Sequence, residues 1–248
     1  EQNGIRLALL NYTYGTNGIP VPSPTVVNLI DTALIRADYN KAQSLNVDEV
    51  IVCIHWGNEY QRTPAIQQLQ LTRFMHDLGI RLVIGSHPHV IQRMEASFDT
   101  DTTEGRVAVY SLGNFVSNQR QQYRNGGAVV ALNIVKENGK TLINNAAHAL
   151  VWVHTPIVNG KKLYRVLPVA DYERHSHYFN DADKELFDEF VTDSRRLLER
   201  ENYNFPEIGM RNNEWIVPWQ DSPEITLTRL TPILRQSSIV LPNRLGIP

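Results

Sequence analysis

The first half of the chain alternates continuous apolar runs with stretches in which apolar residues recur every three or four positions. Ile5-Arg6-Leu7-Ala8-Leu9-Leu10, Val50-Ile51-Val52-Cys53-Ile54 and Arg81 to Ile84 have the length and bounds of buried strands. Between them Ile35, Tyr39, Ala42 and Leu45 share one helical face. A second helix is expected from Thr63-Pro64, with Ile66, Leu69, Phe74 and Leu78 on its apolar side and Gly79 just past its end. Tyr12 to Pro24 is punctuated by Gly15, Gly18, Pro20 and Pro22 and reads as a loop, followed by a short apolar run at Val26 to Ile30. Strands joined by helical crossovers predict a parallel sheet covered by helices, with ligands gathering beyond the carboxyl ends of its strands.

The second half changes period. Val107 to Tyr110, Ala128 to Val135, Leu142 to Val153 and Leu163 to Val169 follow one another through Asn125-Gly126-Gly127, Asn138-Gly139 and Asn159-Gly160, the pattern of antiparallel strands. The fold class expected is α/β, two packed sheets with helices outside. Asp181 to Arg200 reads as one amphipathic helix with Leu186, Phe190 and Leu197 on its apolar side. Residues 202–248 hold six of the 13 prolines, which predicts sparse regular structure wrapping the domain. The organisation expected is a domain over 1–170 with a helical and irregular extension, 171–248, packed on it.

Composition narrows this picture. With 248 residues, 42% of them hydrophobic and 20% charged, the chain can bury a sizeable core. A net charge of −2 supplies no broad basic field, so nucleic acid is not expected as a partner. The single cysteine, Cys53, sits within an apolar strand; it cannot form an intrachain disulfide and reads as an inert core thiol. No apolar run approaches the ~18 residues of a membrane helix. The chain opens on Glu1 and enters a strand within a few residues, so a preceding segment is expected and the lack of a signal peptide says little about compartment.

Two apolar strands end in histidine-bearing loops: His55-Trp56-Gly57-Asn58-Glu59-Tyr60 and Gly85-Ser86-His87-Pro88-His89. Neighbouring strands lie ~4.8 Å apart, so three imidazoles come to one end of one sheet. Imidazole suits zinc, iron or manganese, and residues 87 and 89 alternate about a stiff Pro88, so both side chains can point the same way. A strand cap at His55 and an ordinary His-Pro-His turn are the plain alternative for any one histidine; three together favour a metal. Glu59 either orients a ligand histidine or is a solvated carboxylate. His175-Ser176-His177 reads as a surface loop, His76 as a helix-end cation, and His148 and His154 as pleat positions. No serine-hydrolase elbow or phosphate-binding glycine loop is present.

These blocks, followed by Tyr110-Ser111-Leu112-Gly113-Asn114-Phe115, resemble in order and spacing the signatures of the CapA family of poly-gamma-glutamate capsule-synthesis proteins. Leu9-Leu10-Asn11-Tyr12-Thr13-Tyr14-Gly15-Thr16-Asn17-Gly18 is similar to that family as well, and the likeness covers roughly residues 4–135. It implies the calcineurin-like metallophosphoesterase superfamily, with an α/β/β/α sandwich and a two-metal site in which His55 is the middle histidine and His87 and His89 the closing pair. The superfamily's acidic ligand blocks are not found here. Gly113-Asn114 follows the histidines, which makes Asn114, like Glu59, a candidate catalytic or site-lining residue; a structural turn is the equal alternative for Asn114. The resemblance further implies a divalent metal (Mn, Zn or Fe) and two ions in the intact protein; three imidazoles without carboxylates supply no negative charge to offset a second ion, so at most one is expected on this chain. It implies a role at the extracytoplasmic cell envelope, on capsular polymer or a phosphate- or acyl-linked substrate, among envelope capsule-synthesis proteins. Such a protein would be a metal-dependent hydrolase or transferase if the acidic ligands lie upstream, and otherwise a non-catalytic envelope binding module. Strands missing from the sheet would leave an exposed edge able to pair in a dimer.

Overall fold

The structure is a computed structural model that describes residues 3–98, 105–211 and 214–219. The first half builds β1 (Leu7–Thr13), α1 (Thr32–Ser44), β2 (Glu49–His55), α2 (Ile66–Leu78), β3 (Leu82–Ser86), β4 (Met94–Ser97) and β5 (Arg106–Val109). They form a five-stranded sheet in the order β1-β2-β3-β5-β4, parallel except for β4. Next come β6 (Gly126–Glu137), β7 (Lys140–His154), the short ribbon β8 (Ile157–Val158) and β9 (Lys161–Lys162), and β10 (Arg165–Pro168). β10, β7 and β6 form an antiparallel second sheet. Then follow α3 (Val169–Tyr172), α4 (Asp181–Glu201) and the hairpin of β11 (Gly209–Arg211) and β12 (Glu214–Ile216). The chain is a mixed α/β fold, as its hydrophobic pattern predicts.

The crossover helices are punctuated by local chemistry. Asp31 Oδ1 accepts from the amides of Ala33 at 2.6 Å and Leu34 at 3.2 Å, satisfying two of the free donors at the start of α1. α2 begins at Ile66, later than Thr63-Pro64 suggests, because Ala65 is still extended and its N–H donates to Gln68 Oε1 at 2.9 Å. Gly79 closes the helix in the left-handed conformation at φ 105°, which costs glycine little.

Strand alternation then sorts the core. Val50, Val52, Ile54, Val83, Ala108 and Tyr110 face Ile35 and Ala42 of α1 and Met75 of α2. On the opposite face Leu82, Met94, Val107 and Val109 meet Ala146, Leu150 and Trp152 of β7 together with Phe187, Phe190, Leu197 and Leu198 of α4. Trp152 and Phe187 pack edge to face with centroids 5.5 Å apart. The outer face of the second sheet, at Ala147 and Ala149, is covered by Ile208, Trp215 and Val217 around β11 and β12. A β-ribbon therefore fills the place where a helical layer is expected, because α4 spends its apolar face between the sheets. Residues 203–208 also join the sheets: Ala96 N donates to Tyr203 O at 2.9 Å, and His148 N donates to Pro206 O at 3.0 Å. The remainder of the tail expected to wrap the domain, residues 220–248, lies outside the described residues. β1 is an edge strand, and on its face toward the second sheet Leu7 and Leu9 are 46% and 70% exposed. Cys53 is half-buried on the same face of β2, and burial pushes its thiol pKa up, so it resists becoming a thiolate.

His148 supplies a stability test. It is 3% exposed, its Nδ1 bonds the Phe205 carbonyl at 3.1 Å, and burial pushes its pKa below the ordinary imidazole value. The folded chain keeps it neutral while the unfolded chain takes up a proton as pH falls through about 6.5, so stability is whole above that pH and is lost on acidification. Its share of that loss is up to about 1.4 kcal/mol per pH unit. His148→Gln, which retains a donor for Phe205 O, should flatten the fall of the melting temperature between about pH 7 and pH 5. An unchanged slope in scanning calorimetry would reject this role for His148.

Candidate metal centre at the carboxyl edge of the parallel sheet

β1, β2 and β3 end together. Thr13 pairs with His55, and His55 with Ser86, so the last residues of three parallel strands form one row. Backbone bonds tie the loops that follow: Tyr14 N donates to His55 O at 2.9 Å, Trp56 N to Ser86 O at 3.0 Å and Tyr60 N to Pro88 O at 2.8 Å. Beneath them the buried Trp56 indole donates to Tyr110 O at 2.9 Å across the space left by Gly85. A Cβ on Gly85 would lie 2.3 Å from Tyr110 O and 2.4 Å from Trp56 Nε1. Glycine is therefore required just before the histidine pair.

The row delivers a compact donor set. One ligand atom from each of Glu59, His87 and His89 lies within 4.8 Å of the others. A single ion with bonds of ~2.1 Å holds donors up to about 4.2 Å apart, so small side-chain adjustments close the set. Glu59 Oε1 stands 3.8 Å from His89 Nε2. His55 is adjacent, its ring centroid 4.4 Å from that of His87 in an edge-on arrangement, but it lies outside the mutual group of three. Glu59, read from the sequence as an orienting or solvated carboxylate, thus stands among the donor atoms, and His55 flanks them.

Two imidazoles have their tautomers chosen for them. Asn114 Nδ2 donates to Arg124 O at 2.7 Å and to Gln119 Oε1 at 3.1 Å, which fixes the amide so that its Oδ1 accepts from His89 Nδ1 at 2.9 Å. His89 therefore carries its proton on Nδ1 and presents the Nε2 lone pair toward Glu59. Thr13 Oγ1 gives its proton to Gly15 O at 3.0 Å and so accepts from His55 Nδ1 at 3.1 Å, leaving His55 Nε2 free as an acceptor. Burial, with the neighbouring imidazoles, pushes the pKa of both His55 and His87 down, while Glu59 pulls the other way. Neutral imidazole is the metal-binding form.

The backbone is bent to hold this arrangement. His87 has φ 107°, His89 60° and Tyr60 66°, all in the left-handed region that non-glycine residues avoid. Each such residue costs on the order of 1–3 kcal/mol, and clusters of them occur where function over-determines the local shape. Tyr14 lies against both flanking rings, 5.5 Å from His55 and 4.4 Å from His87, and Tyr60 stacks on His89 at 5.8 Å. Sequence reasoning did not single out Thr13, Tyr14 or Tyr60 as site residues, although Thr13 and Tyr14 sit where the first apolar strand ends, at the same edge.

The other histidines stand elsewhere. His175 and His177 are exposed and His175 bonds Asp171 O at 2.9 Å; His76 bonds Ile80 O at 2.9 Å at the end of α2. His154 is more than a pleat position, since its Nε2 meets Asp183 Oδ2 of α4 at 3.0 Å.

Comparison with known proteins bears on the same segment. Residues 1–119, which contain Thr13, His55, Glu59, His87, His89 and Asn114, match the family described as bacterial capsule synthesis protein PGA_cap. The chain is 32% identical over 148 residues to the PGA biosynthesis protein CapA of Bacillus subtilis (strain 168), covering 55% of this chain and 34% of that protein. It is 31% identical over 147 residues to the capsule biosynthesis protein CapA of Bacillus anthracis, covering 57% and 34%. The chain matches about a third of the length of these relatives.

Two measurements check the geometry. Gly85→Ala should destabilise the fold by about 2–4 kcal/mol, since backbone and a buried indole must move; denaturant unfolding within about 0.5 kcal/mol of the parent would refute the close approach. Long-range nitrogen–proton NMR of the metal-free chain should show both His55 and His89 protonated on Nδ1, and Asn114→Ala should release His89 alone from that tautomer.

Proposed function

We propose, on the premise that this chain is of the CapA type of bacterial capsule synthesis protein, that it serves capsular polymer synthesis through a metal centre on His87, His89 and Glu59. The observation that carries the reading is the preset donor set: two histidines and a carboxylate within 4.8 Å, one imidazole locked by Asn114 with its lone pair toward the carboxylate. Two imidazoles and one carboxylate suit a single divalent ion of the zinc, manganese or iron kind and leave further coordination positions open. An ion held there would acidify a water and polarise a phosphoryl or acyl oxygen.

The chain's own groups supply the rest. Glu59, 42% exposed at the mouth, offers the negative charge that offsets a cation. His55, its Nδ1–H held by Thr13, keeps Nε2 available to take or return a proton beside His87. Tyr14 and Tyr60 wall the imidazoles on two sides and narrow the approach. On this reading the reaction class is metal-assisted hydrolysis or transfer at a phosphate or acyl linkage, on capsular polymer or its precursor at the cell envelope. No helix among the described residues is long and apolar enough to cross a membrane. A non-catalytic polymer-binding module is favoured by one observation, the single carboxylate in the donor set, and generic phosphodiester turnover with added manganese separates the two.

Calorimetric titration with Mn²⁺ or Zn²⁺ should show one ion per chain. His87→Ala and Glu59→Gln should each abolish or sharply weaken binding, and Asn114→Ala should cost about tenfold or more in affinity, as loss of an orienting hydrogen bond does. Ion binding that survives the double change of His87 and His89 to alanine would place the metal elsewhere.

A further inference from the structure

Arg124 belongs to neither the strand-end row nor residues 1–119, which match the capsule synthesis family, yet it is built into the wall of the site. Its guanidinium carbon lies 3.4 Å from the centroid of the Tyr60 ring, and Tyr60 in turn stacks on His89. Its carbonyl accepts from the same Asn114 amide that orients His89. The loop carrying it is fixed on three sides. Arg124 N donates to Gln121 O at 3.0 Å, and Gln122 Nε2 donates to Asp193 Oδ2 at 2.8 Å. The Arg62 guanidinium, itself bonded to Asp193 O, lies 4.0 Å from the Tyr123 ring centroid.

Stacking on an aromatic ring engages only the flat face of a guanidinium. The N–H groups lie in its plane and stay available to a planar or tetrahedral oxyanion. Among the described residues the Arg124 guanidinium meets no carboxylate within ion-pair distance. Arg62, Arg81, Arg93 and Arg195 are by contrast each engaged with a carboxylate or a main-chain oxygen. A half-buried cation held still by Tyr60, beside a donor set carrying only one carboxylate, is arranged for an anion that is not part of the protein.

We propose that Arg124, spread over Tyr60 beside the His87, His89 and Glu59 group, anchors an oxyanion of the substrate, a phosphate or a carboxylate, at the metal centre. This rests on the metal-centre reading above, and it makes Arg124 a substrate-positioning residue that selects anionic ligands. The anion meets the metal ion on one side and the guanidinium fork on the other. A neutral substrate gains nothing from that pairing. Lysine at 124 would keep the charge but lose both the flat face that lies on Tyr60 and the fork that grips two oxygens.

The test titrates inorganic phosphate and, separately, glutarate into the whole chain, with and without Mn²⁺, and follows manganese affinity in the same variants. Arg124→Gln should weaken anion binding about tenfold or more, Arg124→Lys should fall between it and the parent, and manganese affinity and melting temperature should stay at parental values. A response confined to phosphate or to glutarate names the kind of oxyanion. Arg124→Gln binding both anions as the parent does, or a parent chain binding neither in either metal state, would overturn the proposal. Arg124-dependent anion binding in a chain that takes up no manganese would instead sink the metal-centre reading and leave the anion anchor standing. Because the main-chain carbonyl of Arg124, not its side chain, holds Asn114, the fold should survive both substitutions; if the glutamine variant melts early, the lysine variant alone decides between an anion anchor and a cap on Tyr60.

Discussion

The site depends on a close approach at the end of β3. Gly85 has no side chain, so the Trp56 indole can cross it and donate to Tyr110 O, and the strand can run flush against β5 up to its last residue. That bond brings the end of β2, the end of β3 and the segment after β5 to one level. His55 leaves the sheet at that level, His87 turns upward immediately beyond it, and the chain from Ser111 to Asn114 returns past the same edge to reach His89. A side chain at 85 would displace these elements together, which is why a buried contact with no chemistry of its own governs the geometry of the groups that have it.

Polar bonds from outside the donor set do as much as the donors themselves. Thr13, on the edge strand, decides which nitrogen of His55 carries the proton. Asn114 does the same for His89 while also holding the carbonyl of Arg124. Three separate loops thus share one network, and the left-handed backbone at His87, His89 and Tyr60 is the strain that network sustains. Isolated imidazoles on a flexible loop would sample both tautomers; these two are committed before any ligand arrives.

Much of this was legible in the sequence because it follows from period and punctuation. The continuous apolar strands, the helical spacing from Ile35 to Leu45, the left-handed stop at Gly79 and the switch to hairpin turns after Asn125 each have a local physical cause, and the mixed α/β fold follows from them. What escaped was decided by tertiary packing. Nothing local says that α4 turns its aromatic face between the sheets, that a ribbon around Trp215 covers the second sheet, or that the carboxylate of Glu59 joins His87 and His89 in one donor group with His55 at its flank. Thr13 is an unremarkable strand residue until its register against His55 is known, and Arg124 lies beyond every motif in a loop whose conformation is set by contacts with α4.

The segment from Tyr203 to Ile208 joins β4 of one sheet to β7 of the other, whereas β1, at the opposite margin, carries Leu7 and Leu9 without a facing layer among the described residues. The sandwich is stitched along β4 and again at the corner where β1 begins, where Lys136 of β6 donates to Gly4 O at 3.2 Å and pairs with Asp48 at 2.7 Å. Among the described residues the unlaced corner is the one where β1 ends. Thr13 and Tyr14, which steady His55 and His87, sit at that corner, and the imidazoles there are the ones whose alignment a local loosening of the sheets would disturb first.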